Sequence, residues 1–164
     1  MRRSLPMVAL FALLTSCAST ARAQNTPAPR EDLQKVYTDF LKQEGYAPSI
    51  NADGNVAFKY EGGSYVIIID PKDKNFFQLL FPGFWKFEGE EDRRRALNAA
   101  NQAMMSTKVA KVWVTKTNVI ATFELIVKDP SDISFFFRRA LGGVRLAVKT
   151  FADEMNKKDD AGKK

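Results

Sequence analysis

Apolar and polar positions change period several times along this chain, and the changes mark its elements. Leu33, Val36, Tyr37, Phe40 and Leu41 recur at the spacing of a helix with one apolar stripe. The helix ends near Gly45, and Glu31 or Asp32 lies in its first turn, where the helix dipole favours an acid. Val56, Phe58 and Tyr60 then alternate with Ala57 and Lys59, the period of a half-buried strand. Gly62-Gly63 marks a turn. Residues 64–70 read as a second strand, and their β-branched run on both faces implies a central position. After a turn at 71–74, residues 75–81 make a third strand that stops before Pro82-Gly83. The two short turns imply an antiparallel meander.

Residues 88–107 return to helical character. Glu90, Glu91 and Asp92 crowd the start, and Leu97, Ala100 and Met104 form a narrow stripe flanked by Ala96, Ala99 and Ala103. Residues 109–114 alternate as a strand. In a further strand at 119–128, Val119, Ala121, Phe123, Leu125 and Val127 share one face, while Ile120, Thr122, Glu124, Ile126 and Lys128 share a more polar one. Asp129-Pro130-Ser131-Asp132 is a helix start, with a capping acceptor and a proline in the first turn. Phe137, Leu141, Val144, Val148, Phe151 and Met155 then repeat at alternating spacings of four and three. Gly142-Gly143 inside this last helix lowers its propensity by about 1 kcal/mol per glycine relative to alanine. Such a pair allows close packing or a kink. The order is α-β-β-β-α-β-β-α, which predicts a two-layer α+β domain: an antiparallel sheet of roughly five strands flanked by three helices.

The first 23 residues stand apart from that domain. Met1-Arg2-Arg3 is a positive start, the run from Leu5 to Leu14 is apolar except for Pro6, and Ala21-Arg22-Ala23 provides a cleavage site before Gln24. These are the parts of a secretory signal peptide. The run is also shorter than the roughly 20 residues a membrane-spanning helix needs. Leu14-Thr15-Ser16-Cys17 gives a second reading, a bacterial lipobox that would make Cys17 a lipidated N-terminus. Both readings export the chain, to the periplasm or medium in the first case and to a lipid anchor in the bacterial envelope in the second. Residues 24–30 read as a polar linker, 31–155 as the domain and 156–164 as a disordered basic tail.

Export changes the charge balance. The whole chain is formally +6, but residues 1–23 contain Arg2, Arg3 and Arg22 and no acid. The remaining 141 residues hold 22 basic against 19 acidic side chains, and the tail accounts for +2 of that excess. No dense basic face remains for nucleic acid, so that partner class is rejected.

The chain has no histidine and one cysteine, which removes imidazole catalysis and most metal sites. Glu88, Glu90, Glu91 and Asp92 form the densest acidic cluster, which reads as a solvated helix start rather than an acid–base pair or cation site. The segment Asn51-Ala52-Asp53-Gly54-Asn55 lacks the spaced acids and closing glutamate of a calcium loop and reads as a turn, as do Asp70 and Asp73. Arg93-Arg94-Arg95 and Arg138-Arg139 read as local ion-pairing groups. No cofactor or phosphate-binding pattern is present. The densest aromatic segment holds Phe76, Phe77, Phe81, Phe84, Trp85 and Phe87. Strand covering on both sides explains most of these rings. Phe84, Trp85 and Phe87, beyond Pro82-Gly83, are the candidate partner-binding residues, because exposed aromatics mark contact sites.

The order of elements, Gly62-Gly-Ser-Tyr-Val-Ile-Ile-Ile-Asp70, Leu97-Asn-Ala-Ala-Asn-Gln-Ala103, Val109-Ala-Lys-Val112 and Phe151-Ala-Asp-Glu-Met155 together resemble the YbjN family over about residues 31–155. Members of that family are described as bacterial sensory-transduction regulators and share a fold with type III secretion chaperones. The resemblance implies a non-enzymatic, chaperone-like module with a helix–sheet–helix layout, often dimeric in the secretion chaperones. This chain departs from those chaperones by its export signal, since they work in the cytoplasm. The expected function is an exported, non-catalytic module that contacts a polypeptide partner or a second copy of itself. The alternative is a carrier of a small apolar ligand or lipid, with a cavity between the sheet and the last helix.

Overall fold

Three helices and six strands follow the expected order, with one strand added. The computed structural model describes residues 29–157. In chain order the elements are α1 (Arg30–Gln43), β1 (Ser49–Ile50), β2 (Val56–Tyr60), β3 (Gly63–Ile67), β4 (Phe76–Lys86), α2 (Gly89–Ser106), β5 (Ala110–Val114), β6 (Asn118–Ile126) and α3 (Ile133–Asn156). The strands form one antiparallel sheet ordered β1-β2-β3-β4-β6-β5. The α+β class is therefore as expected, with six strands instead of five. The extra strand, β1, is two residues long, too short to show a period, and pairs Ser49 with Ala57 and Ile50 with Val56. The signal segment with Ala21, Ala23 and Cys17, most of the linker and tail residues 158–164 lie outside the described residues.

Several boundaries differ from the sequence expectation, among them the end of β6, at Ile126 instead of Lys128. β3 ends at Ile67, although the Ile68 amide still donates to the Gln78 carbonyl. α3 runs one residue past the expected domain end, to Asn156. The largest difference is in β4, which continues through Pro82-Gly83. Phe81 faces Ala121 and Trp85 faces Val119, so Pro82, Gly83 and Phe84 together oppose Ile120 alone. This bulge explains the proline, which has no amide to give a ladder already interrupted there. It also explains Gly83, whose φ of +59° a side chain rarely adopts.

Strand alternation sends Val56, Phe58, Tyr65, Ile67, Phe77, Leu79, Val112, Val119 and Ala121 to one face, where all are buried. The helices cover that face. Phe137 of α3 packs against the rings of Phe40, Tyr46 and Phe58 at 5.1–5.7 Å. Tyr37 of α1 meets Phe77 edge-on at 5.9 Å. Further along α3, Phe151 meets Phe84 and Trp85 at 5.2 and 5.7 Å.

The second helix corrects the sequence reading. Its buried residues are Ala96, Ala99, Ala100 and Ala103, whereas Leu97 and Met104 are exposed. The alanine side lets α2 lie close to α3 and β5, and the Arg95 Nη2 donates to the Met155 carbonyl at 2.7 Å, tying α2 to the last turn of α3.

Phe151 has no exposed surface. Phe151→Ala is expected to destabilise the domain by about 3–5 kcal/mol, while Phe135→Ala, at a side chain 83% exposed, shifts stability by no more than about 0.5 kcal/mol. Urea denaturation followed by circular dichroism measures both.

Candidate functional site

The face of the sheet away from the helices is the first candidate surface. Pairing places Ser49, Ala57, Val66, Leu80, Thr122 and Lys111 in one row across all six strands. Phe76 stands opposite Ile126, and Trp113 opposite Ile120, on the same side. Among the described residues no helix covers this face, and Ile126 and Trp113 are 71% and 42% exposed. Polar side chains share this face: Ser49, Lys59 and Ser64 on β1–β3, and a paired cluster in which Gln78 Nε2 donates to Glu124 at 3.0 Å and Lys111 forms an ion pair with the same glutamate. Thr122, in mid-row, is fully buried, and its hydroxyl has no hydrogen-bond partner among the described residues. The sequence signal for this face was the two-sided β-branched run of β3. That run marks a central strand, but only one of its sides is covered.

The second candidate is a groove of about 540 Å³ between α3 and the β5–β6 end of the sheet. On α3 its wall is Phe136, Arg139, Gly143 and Leu146, one stripe at helical spacing beside the core stripe. Phe123, Leu125 and Val109 face it, and Ser106, Thr107 and Lys108 close one end. Phe136 also packs edge-on to Phe77 at 4.8 Å, which fixes the wall to the core. The glycine pair does not serve close packing here: a Cβ on Gly142 would meet nothing within 4 Å, and one on Gly143 would lie 3.5 Å from the Phe123 ring, an ordinary contact. α3 runs unbroken through both. Gly143 instead leaves the groove wall low.

Phe84, Trp85 and Phe87 lie elsewhere. All three are partly buried and packed against the core. The β4 bulge brings Phe81, Phe84 and Trp85 to the helix-covered side together, with Phe81 also 4.6 Å from Tyr65. They do not stand in an open patch beyond the strand, because the strand does not end at Pro82.

The charged segment at the start of α2 makes local contacts, whereas Arg138 pairs across the fold and Arg139 has no ion pair among the described residues. Glu91 pairs with Arg94 and Asp92 with Arg95 at the start of α2, and Arg138 reaches Glu44 near the end of α1 at 3.2 Å. The Asn51 side chain accepts from the amides of Asp53 and Asn55, and Arg30 and Gln34 of α1 donate to the Gly54 carbonyl. The Asp70 side chain accepts from the Lys72 amide. These are the turns the sequence predicts. Among the described residues no cluster of acids, histidines or cysteines has the arrangement of a metal site, and no helix is long and apolar enough to cross a membrane.

No family model matches the chain, and no curated protein or solved structure matches it.

One titrating group responds strongly to its surroundings. Burial pushes the Tyr37 phenol up to about 12, with the Asp129 charge adding to the shift. The Asp129 carboxyl is held below its usual range by hydrogen bonds from Ser131. A raised phenol favours the folded state below the ordinary tyrosine range, near pH 10, and that contribution is lost as the pH rises towards 12. Tyr37→Phe is therefore expected to flatten the fall of stability between about pH 10 and 12, read from urea midpoints, and to remove the latest-titrating tyrosine from the ultraviolet difference spectrum.

Proposed function

We propose that the chain is an exported, non-catalytic binding module that holds a polypeptide partner, or a second copy of itself, on the uncovered face of its sheet. The observation that carries this reading is the row from Ser49 to Lys111, which crosses the whole sheet with no helix of the described residues on it and has Trp113 and Ile126 exposed beside it. The face is mixed, with Ala57, Val66 and Leu80 between polar side chains, and the exposed Trp113 and Ile126 supply its apolar contact area. β5 is an edge strand paired only to β6, so its outer side offers main-chain groups to an added strand. A role as a YbjN-like, chaperone-like module, working in the periplasm after loss of residues 1–23 or from a lipid anchor at Cys17, belongs to the same proposal. The resemblance in sequence pattern supports it.

A second reading is favoured by the groove along α3. A cavity of about 540 Å³ with apolar walls lies in the size range of small-molecule sites, and it sits between the sheet and the last helix, where a carrier of an apolar ligand would need it.

Placing a photo-crosslinker at Ile126 in exporting cells tests the first reading. It is expected to yield a discrete adduct with one polypeptide or with a second copy of the chain, and the additional change Trp113→Glu should abolish the adduct while circular dichroism stays native. A crosslinker at the exposed Asn101 of α2 should give none. Equal adducts from both positions, or none from Ile126, would contradict the reading.

A further inference from the structure

We infer that the groove along α3 binds a single-chain amphiphile with a carboxylate head, a long-chain fatty acid, its tail on the groove walls and its head at Lys108 and Arg139. The inference rests on the second, ligand-binding reading and names the ligand.

The groove's shape fixes the tail. Phe123, Leu125, Phe136 and Leu146 give it apolar walls, and Gly143 removes the one side chain that would otherwise project from the middle of the α3 wall. At roughly 30 Å³ per non-hydrogen centre, the share of a water in the liquid, a cavity of about 540 Å³ takes on the order of eighteen such centres, the size of one long-chain fatty acid. A two-chain phospholipid is more than twice as large.

The rim fixes the head. Lys108, in the turn between α2 and β5, and Arg139, on α3, both line the groove, and none of its lining residues is an acid. Neither cation has an ion pair among the described residues, whereas Arg94, Arg95, Arg138 and Arg145 each pair with a carboxylate. The hydroxyls that line the groove are already used: Ser106 and Thr107 donate to the Ala103 carbonyl. Two uncompensated cations at one apolar groove complement an anion that carries an apolar chain, and a guanidinium takes a carboxylate through two parallel hydrogen bonds. A neutral hydrocarbon leaves both cations without a role.

Calorimetric titration of the chain beginning at Gln24 with palmitate, and separately with palmitate methyl ester, tests this. Palmitate is expected to bind with one site and at least about tenfold more tightly than the ester, a difference of about 1.4 kcal/mol. Arg139→Gln, an exposed change on the helix surface, should remove most of that preference while leaving ester binding unaltered. Gly143→Leu, which fills the groove and raises helix propensity, should abolish binding of both ligands with an unchanged circular dichroism spectrum and a urea midpoint no lower than that of the parent chain. If that variant does not fold, Leu146→Glu, which sets an acid on the groove wall, should weaken palmitate more than the ester. Equal affinity for acid and ester would overturn the carboxylate assignment and leave the ligand-binding reading standing. Failure of both ligands to bind would overturn the two together. Binding to phosphatidylglycerol vesicles without any affinity for free palmitate would place the contact at a bilayer surface and equally overturn the proposal.

Discussion

Phe137 and Phe151 fasten α3 to the sheet at two points that are fourteen residues apart in sequence, or about 21 Å along a helix axis. Both rings are fully buried. The first gathers Phe40 from α1, Tyr46 from the following loop and Phe58 from β2, and the second meets Phe84 and Trp85 at the far end of β4. α2 then fills the remaining width with alanines against α3 and β5. Because aromatic burial dominates the energetics of such a small core, every helix is drawn to one side of the sheet. The other side carries a mixed set of apolar and polar side chains, and no helix of the described residues covers it.

That one-sided layering organises what the chain can do. Most of its ion pairs among the described residues join side chains three or four apart on wet surfaces, where each contributes little. Its one strongly shifted group, the Tyr37 phenol, is a core side chain of α1 and lines neither candidate surface. Among the described residues two surfaces stand out: the sheet face that carries no helix, and the groove along α3 that Lys108 and Arg139 line. The two surfaces meet at Val109 and Ala110, which line both the groove and a shallower hollow beside Phe76, Glu124 and Ile126.

Much of the fold was legible in the residues. The strand periods at 56–60 and 119–128, the second of which ends two residues early at Ile126, the cap at Asp129 and the Phe137–Met155 stripe all correspond to observed elements. Pro82-Gly83 misled, because a bulge tolerates the same residues that usually end a strand, and only the pairing with Ile120 distinguishes the two. Leu97 and Met104 misled as well. Periodicity marks the larger apolar side chains, but a close helix–helix contact selects the smaller ones, so the alanines went inside. The groove was legible only in part: Phe136 and Leu146 sit one and two positions off the main stripe of α3, and Phe123, which faces them, belongs to the buried face of its strand.

The central claim is that the outer sheet face is open in the folded chain. The chain beginning at Gln24 contains no cysteine, so Ile126→Cys introduces a single thiol on that face. Its labelling rate at high dilution is the direct measurement. The rate is expected to approach that of the urea-unfolded chain and to fall when the protein is concentrated or a partner is added. A thiol as protected as one placed at Phe77, at every dilution and with the chain monomeric, would contradict the account.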